Sequence, residues 1–421
     1  MKKVLIIGAN GMLGQELVQV FSADADYEVF GWDKLLMSDV NSIDITDEAQ
    51  VRDRVLKLSP AIIINAAAYN DVDKCEEPAE FESAKKLNGL APGYLAKAAR
   101  EIHNPPTPLC ARGAGEGDFL HKGGDDGAIF VHYSTDYVFD GQKEGGYKEN
   151  DKPSPIQNYG RTKLMGEQEV ARISGKYYII RLQKLFGRSA QSAAAKKSFF
   201  ETMLALARVK KELEVVDEEL ANFTYAPDLA EYTKFLVDRN FLTPPTPLCA
   251  RGEGEEMVCV RGADSPHPNP LLQKERGKSS PILSLQRREP YPFGIYHITN
   301  EGAPATWFGA AKILFDLAQQ RHPDPAVAGE GSLTNVRPAS TGDSSLRSAE
   351  FTPMAIGVQN DKKENLQNDN ITKLIPVPSS KFPRPAKRPK YSILLNTKLP
   401  PLRPWPEALK EFLVDNNNSA V

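Results

Sequence analysis

The sequence predicts an α/β fold: a doubly wound parallel Rossmann sheet with a smaller C-terminal substrate lobe and long irregular insertions. Three observations predict it. A short apolar run from Lys3 to Ile7 leads into a glycine turn and then a helical pattern through Phe21, the opening of a βαβ unit. Apolar strands and helical patterns alternate up to about residue 185, as a parallel sheet requires. Gly, Pro and charged residues collect in a few long stretches rather than being spread evenly.

Those stretches contain a repeat. PPTPLCARG occurs at 105–113 and again at 244–252, inside segments 103–127 and 242–290. They account for much of an excess of proline, 32 residues where ~5% of the chain is usual. Such segments bury too little apolar surface to offset the entropy of ordering, and two copies are no solenoid period. They read as insertions of a repeated element into surface loops. Cys110, Cys249, Cys259 and His267 lie within them at spacings that match no zinc pattern, so no metal site is expected. Deleting both segments is expected to leave activity intact, and a folded deletion protein without turnover would overturn that reading. Residues 322–380 read as a further long loop. The domain reading is therefore an NAD(P)-binding Rossmann domain over 1–185, with 103–127 inserted. A substrate lobe with interleaved core segments follows over 186–421, broken by 242–290 and 322–380.

Each element then follows in order. In Gly8-Ala9-Asn10-Gly11-Met12-Leu13-Gly14, Gly8 permits a tight turn, Gly11 lets the backbone approach a pyrophosphate, and Gly14 allows close helix–strand packing. Asn10, Met12 and Leu13 complete the cradle, where helix N-terminal amides attract a diphosphate. The strand Tyr27 to Gly31 ends near Asp33, 19 residues beyond Gly14, placed to bond an adenosine ribose. Lys34 beside it suits a 2′-phosphate, so NADH and NADPH both stay open. Asp44 and Ile45, ahead of the next helix, are further cofactor-side candidates. Ala61 to Asn65 is a continuous apolar strand that opens into Ala66, Ala67, Ala68 and Tyr69, small residues where a flat cofactor passes close to backbone.

The strand Ala128 to Tyr133 ends in Ser134-Thr135-Asp136-Tyr137, hydroxyls placed for a substrate carbonyl. Ser154 and Pro155 read as N-cap and first residue of a helix carrying Tyr159 and Lys163, four apart and so on one face. An ammonium held near a phenol lowers the phenol's pKa toward useful values. Thr135, Tyr159 and Lys163 are thus the catalytic candidates: Thr135 polarises a ketone, Tyr159 donates the proton, and Lys163 also bonds the nicotinamide ribose. Downstream, 199–211, 228–240 and 306–320 read as helices, and 294–300 as a strand returning to the substrate side. Arg388 is either a bidentate diphosphate partner or part of a solvated basic run over 381–390.

Charge and composition exclude several classes. With 52 basic and 55 acidic residues the net charge is −3, which argues against a nucleic-acid binder. No apolar run approaches the ~20 residues of a membrane span, and Val4 to Ile7 falls short of a ~7–15-residue leader core. Four cysteines in this length point to a reducing, cytoplasmic setting.

Taken together, IIGANGMLGQEL, INAAAYNDVDKCE, HYSTDYVFDG, SPIQNYGRTKLMGE, GIYHITNEG and RPKYSILLNTKL resemble the dTDP-4-dehydrorhamnose reductase family of the extended short-chain dehydrogenase/reductase superfamily. The resemblance runs along nearly the whole chain outside the insertions. It implies reduction of the C4 ketone of dTDP-4-dehydro-L-rhamnose by NADPH or NADH, with Tyr159 as acid. It also implies Asn65, Ala67 and Tyr69 along the cofactor, and Thr135, Asp136 and Tyr137 toward the sugar. Some family members use an interfacial magnesium ion, whose ligands have no identified counterpart here. Departures from the family pattern include Lys184 in place of a tryptophan, a changed turn around Thr224, and Leu395 where an Asp is common. Monomer and homodimer both stay open. Other readings are an epimerase or dehydratase of the same superfamily, or a regulatory subunit resembling that of methionine adenosyltransferase. A further one is a chain whose first insertion, just before the strand carrying Thr135, spoils the site. Stoichiometric consumption of reduced cofactor separates the reductase from all three.

Overall fold

The computed structural model describes residues 1–34, 41–102, 127–190, 197–241, 290–320 and 373–418, with two short strands at 248–249 and 259–260. The repeat segments thus lie almost wholly outside the described residues, as do 322–372. Two compact units emerge: Met1–Glu231 with Phe293–Val421, and Tyr232–Pro292.

The first unit begins with β1 (Lys2–Ile7), α1 (Met12–Ser22), β2 (Tyr27–Trp32), α2 (Glu48–Leu58) and β3 (Ile62–Asn65). Next come α3 (Pro78–Ala84), a π-helical turn at Lys85–Leu90, α4 (Ala91–Glu101), β4 (Ile129–Thr135), α5 (Asn158–Ile173) and β5 (Tyr177–Leu182). Then follow β6 (Leu185–Phe186), α6 (Phe199–Ala207), β7 (Glu212–Val216), β8 (Thr224–Tyr225) and α7 (Ala226–Asp238). The second unit holds β9 (Leu248–Cys249) antiparallel to β10 (Cys259–Val260). The chain returns as β11 (Gly294–His297), α8 (Trp307–Gln319), β12 (Lys373–Val377) and α9 (Trp405–Asn418).

The main sheet has the order β11-β5-β4-β3-β1-β2, and every pairing in it is parallel. Its inner strands β1, β3 and β4 are buried almost throughout, in keeping with the apolar runs Val4–Ile7, Ile62–Ile64 and Ile129–Val131. The chain runs outward from β1 to β2, then crosses to β3 on the other side, creating a switch point between β1 and β3 where ligands bind in such sheets. Register aligns the strand ends: Ile7 faces Trp32 and Asn65, and Asn65 faces His132. Gly8, Asp33, Ala66 and the end of β4 therefore share one edge. Leu5, Val51, Ile63, Leu95, Phe130 and Ile179 pack one core against this sheet. A separate aromatic core gathers Phe186, Phe200, Phe223, Tyr225, Trp405 and Phe412 among α6, α8, α9 and the short pairs β6–β8 and β7–β12.

Several expectations are corrected. The strand near 294–300 joins the main sheet beside β5, so C-terminal sequence completes the Rossmann layer. The helix at 199 stops at Ala207, because Glu212–Val216 is needed as a strand. Its partner comes from the end of the stretch read as loop: Lys373–Val377 pairs in parallel with it, a ladder only the fold brings together. Ser154 and Pro155 do not cap α5. Gln157 does, its side chain accepting from Gly160 N at 3.3 Å, while Ser154 N bonds Val138 O.

Candidate active site

The glycine turn has the shape its spacing requires. Gly8 sits at φ +78°, its amide donates to Trp32 O at 2.8 Å, and Gly11 N closes onto Gly8 O at 3.0 Å. A Cβ on Gly8 would come within 2.8 Å of Ala67 N, and one on Gly14 within 2.0 Å of Gly8 O. The end of β3 and the first turn of α1 thus press directly on this loop. Gly11 is the N-cap of α1 with no side-chain cap, and the first turn holds no acid, so the Met12 and Leu13 amides form a cradle suited to an anion. Leu13 buries its side chain and Met12 lies half-buried.

Asp33 follows β2 as expected, and its carboxylate accepts from Asn10 N at 3.2 Å, tying the acid to the turn. Lys34 pairs with Asp44 at 2.8 Å on the surface. Burial would raise Asp44, but hydrogen bonds from Lys34 and Thr46 and the lysine's charge outweigh it and hold the carboxyl at about 2. Ile45 packs in the core under the sheet, so any part it takes toward a cofactor goes through its backbone. Asn65 is buried: its Oδ1 accepts from Ala67 N and its Nδ2 meets His132 Nδ1 at 3.3 Å. Ala66 and Ala67 line the approach to Gly8. The Tyr69 phenol donates to Glu80 at 2.6 Å; burial, then this bond, raises its pKa, and its backbone is clasped on both sides by Asn88.

At the end of β4 the catalytic candidates come together. Tyr159 and Lys163 are buried on one face of α5, and Tyr137 meets Tyr159 edge-on with ring centroids 6.0 Å apart. Lys163 Nζ donates to Tyr133 O at 2.6 Å. Thr135 Oγ1 donates to Asp136 at 3.0 Å and accepts from Tyr137 N. Burial raises the Tyr159 phenol above its ordinary value, with the Asp136 charge adding, while the nearby Thr135 hydroxyl works the other way. Desolvation is the largest of these influences, and it acts against the lowering expected from a nearby ammonium. Burial pulls the Lys163 ammonium down to about 8, partly offset by Glu167. It also pushes the Asp136 carboxyl up to about 6, against hydrogen bonds from Ser392 and Thr135 and the charge of Lys184.

Beyond Asp136 lies a charged rim. Tyr137 stands near Arg388, Glu219 and Arg384. Arg388 is enclosed rather than solvated, but its Nη2 donates to Asp73 at 2.6 Å and its Nη1 to Ala386 O at 2.9 Å. Much of the fork offered to a diphosphate is thereby engaged. Glu219, which sequence reasoning missed, accepts from Arg384 and from Trp307 Nε1 at 2.9 Å. Lys184 adopts φ +39° and donates to Glu219 O at 2.9 Å, its ammonium 4.1 Å from the Trp307 ring centre and 5.0 Å from that of Phe223. Aromatic surface at this place is thus supplied by α8 and the segment before β8. Thr224 is fully buried, bonding Gln183 O at 2.7 Å, and acts as structure. No single-residue signal marks Glu219 or Asp73, since their partners lie far along the chain. Among the described residues, no helix is long and apolar enough to cross a membrane, and no three His, Cys, Asp or Glu side chains form a group suited to a metal ion.

Comparison with known proteins follows this geometry. A family model described as RmlD substrate binding domain matches residues 1–105 and 121–247. The spore coat polysaccharide biosynthesis protein SpsK of Bacillus subtilis (strain 168) is 34% identical over 231 residues, 55% of this chain and 68% of that protein. The dTDP-4-dehydrorhamnose reductase of Burkholderia thailandensis is 27% identical over 409 residues, 97% of this chain and 92% of that one. Among solved structures, the dTDP-4-dehydrorhamnose reductase of Bacillus anthracis in complex with NADP superimposes with a TM-score of 0.62 at 24% identity, covering 98% of this chain and 99% of that one. At that identity the likeness speaks for the fold.

Proposed function

The chain belongs to the RmlD substrate binding domain family, and from that premise we propose that it is a nucleotide-sugar ketoreductase, reducing the C4 ketone of dTDP-4-dehydro-L-rhamnose to dTDP-L-rhamnose with NADPH or NADH. One observation carries the reading: the buried Tyr159 phenol, beside the Thr135 hydroxyl and one helical turn from Lys163, on the sheet edge that also bears the glycine turn. The residues fit a dinucleotide, because the glycines let the turn pack tightly on β3 and α1 while the uncapped N-terminus of α1, with no acid in its first turn, leaves amides free for a diphosphate.

When bound, a reduced nicotinamide supplies the hydride. The protein's own groups do the rest. Thr135 orients the ketone oxygen toward Tyr159, and the Tyr159 O–H gives its proton to that oxygen as negative charge builds there. Burial keeps the phenol protonated but makes it a weaker acid, so the donation depends on the negative charge building on the ketone oxygen and on a cation that stabilises the phenolate left behind. Lys163 then faces the phenolate left behind, and its positive charge stabilises that anion. Asp136 and Tyr137 close the sugar side, with Arg388 and Arg384 at the rim.

The test is consumption of reduced cofactor, followed by its absorbance, with dTDP-4-dehydrorhamnose as substrate. One equivalent oxidised per ketone reduced supports the proposal. A product formed with no net oxidation would indicate an epimerase or dehydratase, and tight binding without turnover a regulatory subunit. The pH dependence has a sign. Lys163 with a pKa of about 8 is charged below that value and neutral above it. Turnover is expected to fall as pH rises through about 8, and a flat profile from pH 7 to 9.5 would detach Lys163 from the chemistry.

A further inference from the structure

Helix α5 carries a third residue on the face of Tyr159 and Lys163. Glu167 lies four residues beyond Lys163, so the three side chains stack along one line of the helix. Glu167 is buried, 3% exposed, and both carboxylate oxygens are taken by Arg181 of β5: Nε at 2.9 Å and Nη2 at 2.6 Å. Arg181 is itself only 1% exposed, and lies 5.1 Å from the Phe139 ring centre and 3.5 Å from His297 Nε2.

A fully enclosed carboxylate–guanidinium pair is expensive to desolvate, and an apolar pair of similar volume would commonly hold helix to sheet as well or better. Its position one turn from the only other enclosed cation on this helix face suggests what an apolar pair could not supply. We infer that Glu167 is a positioning residue for the proposed ketone reduction: clamped by Arg181, it places a fixed negative charge one helical turn from Lys163 and keeps that lysine in its ammonium form. The inference rests on the reductase reading. The groups facing Lys163 are few. Glu167 and Tyr159 come from its own helix, His132 from β4 is held neutral by burial and by the lysine's own charge, and the Tyr133 carbonyl accepts a hydrogen bond from its ammonium. Arg181 lies behind Glu167 on β5, and Asp136 acts on Tyr159. Glu167 is thus the carboxylate that opposes the cost of burying the ammonium.

The test compares wild type with Glu167→Gln by two readouts. One is the alkaline limb of turnover against pH. The other is titration of Lys163 in the unliganded protein, followed by the NMR shift of its labelled Cε and assigned through Lys163→Met. Loss of the carboxylate is expected to lower the Lys163 midpoint and the alkaline limb together, by about one pH unit, the effect of removing one close opposite charge. A purely structural role would reduce the rate equally at every pH and leave the midpoint in place, which would overturn the inference. Should the single variant fail to fold with Arg181 left unpaired, Glu167→Gln with Arg181→Met removes both charges; loss of the guanidinium then acts against loss of the carboxylate, so a smaller fall of the Lys163 midpoint is expected, and an unchanged midpoint would overturn the inference. An inactive wild type would sink the reductase reading, whereas the NMR midpoint judges Glu167 by itself.

Discussion

Replacing Tyr159 with phenylalanine is expected to lower turnover of dTDP-4-dehydrorhamnose by ~10²–10⁴-fold, the usual worth of a positioned general acid. The change removes one oxygen from a buried ring that packs against Cys75, Ala84 and Tyr137, and it leaves that packing in place. Melting temperature and affinity for the reduced cofactor are therefore expected to stay close to wild type. This combination separates chemistry from structure: a rate loss accompanied by unfolding would not count, and equal rates in the two proteins would take Tyr159 out of the mechanism. Thr135→Val should behave as a milder relative, since it removes the hydroxyl beside the phenol while keeping the side chain's volume.

Gly14→Ala is expected to have a large structural effect for a single methyl group. Its Cβ would stand 2.0 Å from Gly8 O and 2.8 Å from Ala9 Cα, all backbone in the turn the helix closes on. Neither atom belongs to a side chain that can rotate away, so α1 or the turn must shift. Overpacking of this kind costs about 1–3 kcal/mol or more, a fall of several degrees in melting temperature. If the same turn is the proposed anion cradle, affinity for the reduced nicotinamide cofactor should drop by about tenfold or more, equivalent to ~1.4 kcal/mol. Gly11→Ala makes an instructive partner: its nearest contact would be Gly8 O at 3.2 Å, so it should fold well and show any loss mainly in cofactor binding. A Gly14→Ala protein with wild-type melting and NADPH affinity would mean the turn is shaped differently.

Much of the site was legible in the sequence because it is written in short-range patterns. The strand–glycine–helix opening, the acid at Asp33 and the four-residue step from Tyr159 to Lys163 each depend on backbone geometry over a few residues, and the parallel sheet brings them to one edge. Lys184 was visible as a departure, but not the two aromatic rings that receive it. The cap of α5 was misplaced because Ser-Pro is a strong local signal, while Gln157 competes through its longer side chain.

Local order along the chain thus determined the α/β class, the glycine turn and which hydroxyl, phenol and amine stand as catalytic candidates. Only the tertiary structure decided their electrostatics and their neighbours: a phenol raised by burial, Arg388 held by Asp73, Glu167 clamped by Arg181, and β7 completed by a strand over 150 residues later. The reason is physical. Desolvation and ion pairing depend on which groups enclose an atom in space, and those groups come from parts of the chain that no spacing rule connects.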